Sequence, residues 1–182
     1  GPHIAKILAR QAVSEAQHLH KRCGVVGFDI AGMEQGNPCR LFREAYEVAR
    51  LGGLGLTAHA GEDEGPVNVW DAVDVLGVGR VGHACSAVKD AELLKRLARD
   101  RVLVECCLTS NRQTGAVPPG AEHPIVKFLE AGVPVALCCD NTTVSGTDLA
   151  AETSLAAALV GAEAARRIHE QAAEYSFLRK RA

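Results

Sequence analysis

The sequence lacks any marked charge imbalance: 20 Lys and Arg stand against 22 Asp and Glu, a formal net charge of -2 with a pI near 6.4. Nucleic-acid binders usually carry a basic face or a pI above about 9, so there is no electrostatic basis here for a polyphosphate partner. The one basic cluster, Arg179, Lys180 and Arg181, follows a predicted helix and reads as a solvated tail. No apolar run approaches the roughly 18 residues of a membrane span, and the first residues lack a charged head leading into an apolar core. These absences predict a cytoplasmic chain with no nucleic-acid and no membrane partner.

C-x-x-C spacing is missing as well. Seven cysteines, an odd count with adjacent pairs at Cys106-Cys107 and Cys138-Cys139, argue against a disulfide framework, because strand neighbours point to opposite faces. Without C-x-x-C there is no structural zinc cluster either, and most thiols are expected to be small buried apolar groups. Low-complexity linkers and shifts of composition are also absent, so residues 1–182 read as one structural unit. The 47% of apolar residues and 23% of charged ones belong to a globular chain. A closed eight-stranded (β/α) barrel usually needs about 250 residues, with roughly 200 as the lower end, so this chain can supply only part of one.

What is present is an alternation of short apolar runs and amphipathic stretches. Residues 4–21 are predicted as a helix, with Ile4, Ile7, Leu8, Glu15 and Leu19 at helical spacing and Gly24 as its stop. Strands are predicted at 25–30, 55–59, 81–83, 102–106 and 133–138, with helices at 38–51, 67–76, 90–99 and 124–131 between and after them. A last helix spans about 148–175 and has a candidate break at Gly161. The runs begin 22 to 31 residues apart, about the length of a βα unit, and are continuously apolar, which points to parallel strands covered by helices. Periodicity leaves two architectures open, a small doubly wound sheet and part of a barrel.

The ends of the runs carry the chemistry. In order they deliver Asp29 through Glu34, His59-Ala60-Gly61-Glu62, Gly82-His83-Ala84, Glu105 through Asn111, and Asp140-Asn141. In a (β/α) barrel, catalytic groups gather where strands run into their following loops. Two histidines and several acids from separate strands suggest metal-assisted hydrolysis.

These stretches, in this order and spacing, resemble the adenosine deaminase family of metal-dependent amidohydrolases. The likeness runs from residue 24 to about 152 and rests on Val25 through Glu34, His59-Ala60-Gly61-Glu62, Arg80-Val81-Gly82-His83, Val104-Glu105-Cys106 with Thr109-Ser110-Asn111, and Cys139-Asp140-Asn141. It implies the C-terminal part of a (β/α)8 barrel, about five βα units, with the first three strands absent. It further implies Zn2+ held by His59 and Asp140, Glu62 as the general acid that protonates purine N1, and His83 as the group that orients and helps deprotonate the attacking water. The Gly32 backbone N–H is implied to donate to purine N3. Asn141 stands where many members have an aspartate bonded to N7, and an amide donates there without first needing a proton.

Ala84, Met33 and Cys107-Leu108 depart from the family's pattern and bear on the substrate. Leu108 through Asn111 and Asp140 through Thr143 look like the branch that includes aminodeoxyfutalosine deaminases. The implied reaction is hydrolytic deamination of the 6-amino group of an adenine nucleoside. The alternative is a catalytically silent fragment or assembly module of a deaminase barrel.

Plainer readings exist residue by residue. Asp140 alone could be a turn residue or helix cap, Glu62 part of a solvated acidic loop, and Glu105 structural. His123-Pro124 reads as a turn before a helix, and His3 and His169 as exposed residues. The family's H-x-H pair sits on a first barrel strand, whereas His18-Leu19-His20 lies in a helical pattern, where i and i+2 diverge, and reads as solvated. Two protein ligands remain where a catalytic zinc normally has three, so the chain is expected to bind zinc poorly. Open strand edges and an apolar inner face are expected to call for an N-terminal barrel fragment or a second copy.

Overall fold

The computed structural model describes residues 1–18 and 24–178, and five parallel strands form one sheet in the order β1-β2-β3-β4-β5. They are β1 (Gly27–Phe28), β2 (Gly55–Ala60), β3 (Arg80–His83), β4 (Leu103–Cys106) and β5 (Val135–Leu137). A doubly wound sheet reverses its strand order at a switch point, whereas a barrel sets each strand beside its predecessor. The sequential order resolves the two architectures in favour of part of a (β/α) barrel. Leu19 and His20 of the His18-Leu19-His20 stretch, and Arg179, Lys180 and Arg181, lie outside the described residues.

The strand register explains the two faces. Ala58, Val81, Val104 and Val135 align across β2 to β5, and each is fully buried against the helices. With period-two alternation, Thr57, His59, Arg80, Gly82 and Glu105 turn to the opposite, inner side. This inner face is polar rather than apolar as expected: Arg80 pairs with Glu105 at 2.9 Å, and the Thr57 hydroxyl donates to the same carboxylate. Glu105 is thus structural. The Phe177 ring closes the lower end of this face, under the Arg80 guanidinium at 3.7 Å.

Helices α1 (Pro2–His18) and α2 (Arg43–Leu51) pack together beside the first strands. The helix expected at 38–51 begins as a 3-10 turn over Cys39–Phe42, and the one at 67–76 is α3 (Pro66–Trp70) running into a π-helical turn over Asp71–Leu76. Helix α4 (Ala91–Arg99) starts at Asp90, whose carboxylate accepts from the N–H groups of Glu92 and Leu93. Two short helices were not expected, α5 (Leu108–Gln113) and α7 (Thr142–Ser145), and they flank α6 (Ile125–Glu130). Gly161, at φ +86°, splits the last predicted helix into α8 (Leu149–Val160) and α9 (Ala162–Ala172). Tyr46, Leu93, Leu97, Ile125, Phe128 and Ile168 fill the layer between helices and sheet.

Burial accounts for the thiols: Cys39, Cys85, Cys106 and Cys107 are buried, and burial raises all four, Cys39 and Cys85 to about 12. His169 departs from expectation, being half-buried with Nε2 at 2.8 Å from the Thr153 hydroxyl across α8 and α9. No helix among the described residues is long and apolar enough to cross a membrane.

Candidate active site

His59 sits near the end of β2, and the neighbouring position on β3 is Gly82, where a Cβ would lie 3.3 Å from the His59 ring. The glycine thus gives the imidazole its room. Asp29, just past β1, takes His59 Nδ1 at 3.1 Å, which leaves Nε2 as the nitrogen directed elsewhere. The hydrogen bond to Asp29 raises the pKa of His59 against the opposing effect of burial. The His59 and His83 ring centroids lie 5.0 Å apart.

His83 and Ala84 both have left-handed backbone, at φ +63° and +49°, and this turn swings the chain off the end of β3. Such conformations are strained for residues with a side chain and cluster at functional sites. Ala84 stands where a glycine is common in the family, and its φ supplies the reason a glycine suits the position. The His83 side chain is 2% exposed, and its Nε2 lies 3.4 Å from Glu62 Oε2. Burial lowers the pKa of His83 despite the neighbouring Glu62 charge.

Glu62 is held by contacts that run through two other loops. The buried Glu34 carboxylate accepts from the N–H groups of Gly61 (2.7 Å), Glu62 (2.7 Å) and Asp63 (3.1 Å), and from the Asn68 amide (2.6 Å). On the other side, Asn111 Nδ2 and the Thr114 hydroxyl donate to Glu62 Oε1 at 3.1 and 2.9 Å. Asn111 belongs to α5, whose start is fastened by the buried Glu152 of α8: Leu108 N–H donates to it at 2.7 Å, and the Thr109 and Thr147 hydroxyls also donate to it.

Asp140 follows β5 with φ +55°, and its Oδ2 accepts from the Ser110 hydroxyl at 2.7 Å. The helix cap at this end is Asn141 rather than Asp140: Asn141 Oδ1 accepts from Val144 N–H at 2.9 Å, which leaves its NH2 to donate elsewhere. Gly32, at φ +108°, has open space where a Cβ would point and lines a crevice of about 30 Å³ that reaches His59.

The fold therefore gathers His59, Glu62 and His83; Ser110 ties Asp140 to α5, which also carries Asn111, Gly32 shares a crevice with His59, and Asn141 is exposed beside Asp140. Four positioning groups were not singled out by role from sequence: Glu34, Asp29, Ser110 and Asn111. Their signal was position, since all lie in the motif stretches at the strand ends.

One imidazole with Nε2 directed away from its Asp29 partner and one carboxylate steadied by a hydroxyl suit half of a zinc ligand set. No group of three His, Cys, Asp or Glu that could hold a metal occurs among the described residues. The donor set fits the metal in part.

A partial (β/α) barrel gathers these polar groups at the C-terminal ends of its strands, where barrel enzymes place their chemistry. The sequence profile of the adenosine deaminase family matches residues 3–182, and the chain belongs to that family. It is 43% identical over 143 residues to the adenosine deaminase of Klebsiella pneumoniae, an alignment covering 79% of this chain and 43% of that protein. It is 37% identical over 155 residues to a probable adenosine deaminase of Dictyostelium discoideum, over 85% of this chain and 19% of that one. The chain thus spans less than half the length of these curated relatives. Among solved structures, the N6-methyl-AMP deaminase of Arabidopsis thaliana superposes with a TM-score of 0.82 at 29% identity, over 94% of this chain and 50% of that one. A zinc-bound amidohydrolase from Burkholderia ambifaria gives 0.72 at 28%, over 82% and 42%.

Proposed function

We propose that this chain carries the acid–histidine half of a zinc-dependent site that deaminates the 6-amino group of an adenine nucleoside, adenosine or aminodeoxyfutalosine. The reaction adds water across C6 and N1 of the ring, expels ammonia from C6 and leaves the hypoxanthine product. The observation that carries this reading is the pairing of Glu62 with His83 at 3.4 Å beside His59, on the rim of a chain that belongs to the adenosine deaminase family.

Each group has its own task. Glu62 delivers a proton to N1, and its Oε1 is already occupied by two donors, so Oε2 is the oxygen that carries that proton. His83 orients the attacking water and steadies the oxygen as charge builds at C6. Gly32 N–H serves N3, and the unobstructed space beside it admits a flat base. The Asn141 NH2 serves N7.

His59 and Asp140 would hold the metal, with further imidazoles supplied by the family's H-x-H pair. When bound, zinc supplies Lewis acidity that makes a water nucleophilic near neutral pH. The zinc-bound Burkholderia amidohydrolase and the adenosine deaminase relatives support this choice.

The reading is tested by titrating purine riboside into the 15N-labelled chain. The Gly32 backbone amide and the Asn141 side-chain NH2 are expected to move together. Perturbations confined to other surfaces would overturn the assignment of these two groups.

A further inference from the structure

Asn111 is fully buried, and its Nδ2 lies 3.1 Å from Glu62 Oε1 and 2.9 Å from His83 Nδ1. An amide has two N–H donors on nitrogen and none on oxygen. The atom facing the Glu62 carboxylate must be the nitrogen, because an amide oxygen there would oppose a carboxylate oxygen. The second N–H of the same nitrogen then points at His83 Nδ1, which is left with one role, that of acceptor. A neutral imidazole that accepts at Nδ1 carries its proton on Nε2.

We infer that Asn111 is the positioning residue that joins Glu62 and His83 into one hydrogen-bonded unit and fixes the His83 proton on Nε2. The consequence for chemistry rests on the deaminase reading. In this tautomer the Nε2 atom, 3.4 Å from Glu62 Oε2, presents a hydrogen and not a lone pair. Neutral His83 then offers the attacking oxygen a hydrogen-bond donor that orients and stabilises it. Asn111 Oδ1 is buried with no hydrogen-bond partner among the described residues.

The test is the tautomer itself, read in multiple-bond 1H–15N spectra of the histidine rings of the 15N-labelled chain in mildly alkaline solution. The His83 signals are assigned by their loss in His83→Gln. The expected native pattern is a protonated Nε2 and an unprotonated Nδ1 for His83. In Asn111→Leu the preference is lost and both tautomers appear; in Asn111→Asp, whose carboxylate only accepts, the proton moves to Nδ1. A structural role alone would lower stability and leave the tautomer unchanged. A native His83 protonated on Nδ1 overturns the inference, and so does an unchanged Nε2–H pattern in both folded variants. If neither variant folds, Asn111→Ala takes their place, with the same loss of the preference expected. No turnover is needed, so failure of the deaminase reading and failure of this one are read separately.

Discussion

The Glu34 carboxylate accepts the backbone N–H of Glu62 at 2.7 Å, so the loop that carries the candidate acid is fastened by a second acid buried beneath it. Glu34→Gln turns one of its oxygens into a donor that faces N–H groups. Hydrogen bonds to a charged acceptor contribute about 1.5–3 kcal/mol each, and the substitution is expected to cost about 3 kcal/mol in total. Hydrogen exchange gives the local check, because the amides of Gly61, Glu62 and Asp63 should lose protection. Unchanged protection at these three would mean that the carboxylate is not their anchor.

Phe177 and Gly55 form a tight packing pair at the lower end of the inner face, where a Cβ on Gly55 would stand 2.2 Å from the Phe177 ring. Overpacking of this kind costs about 1–3 kcal/mol, which is the expected effect of Gly55→Ala. Phe177→Ala removes the obstacle, so in a urea double-mutant cycle the pair should cost less than the sum of the singles. Strict additivity would contradict the contact.

Much of this architecture was legible in the sequence, and the exceptions have physical causes. The apolar runs located all five strands because buried parallel strands must be apolar along their length. The run at 25–30 shrinks to Gly27–Phe28 as a regular strand, yet Val26 and Ile30 still accept from the N–H groups of Gly55 and His59, so the segment follows β2 along one side. Helix α5 was not legible because Leu108 through Gln113 shows no apolar period and its N-terminal N–H groups are satisfied by Glu152, 44 residues away from Leu108. The polar inner face was missed for a similar reason: Arg80, Glu105 and Thr57 are far apart in sequence and neutralise one another only in the folded chain. The strand-end residues were legible as a cluster, whereas the partner each one holds, Asp29 for His59 or Ser110 for Asp140, needed the three-dimensional structure.

His123 gives the clearest pH dependence. It is buried before α6, its Nδ1 accepts from Ile125 N–H at 3.1 Å, and burial pushes its pKa from 6.5 down to about 4. Between these values the unfolded chain binds a proton that the folded chain refuses. The contribution is therefore complete above pH 6.5 and is lost as pH falls towards 4, by about 1.4 kcal/mol per unit and about 3 kcal/mol overall. His123→Asn keeps an acceptor for Ile125 and does not titrate. Urea midpoints should fall less steeply from pH 6.5 to 5 in this variant, and equal slopes would refute the assignment.

Zinc binding by the chain itself should be weak and should depend on His59. Calorimetric titration is expected to show binding lost in His59→Ala and weakened about tenfold in Asp29→Asn, since partners that orient a ligand commonly contribute 10–100-fold to affinity. Binding indifferent to His59→Ala would mean that the metal sits away from this cluster.

Turnover bears most directly on the central claim, that Glu62 and its neighbours form half of an adenine-deaminating site. The assay follows the ultraviolet change as adenosine or aminodeoxyfutalosine becomes its hypoxanthine product, with the chain in zinc plus an N-terminal fragment of the Klebsiella relative. The account predicts turnover when both parts are present and a loss of at least about 100-fold in Glu62→Gln, within the range of general acid catalysis. A folded, zinc-loaded assembly that leaves both substrates unchanged, or a Glu62→Gln variant as active as the native chain, would contradict it and favour a catalytically silent assembly module.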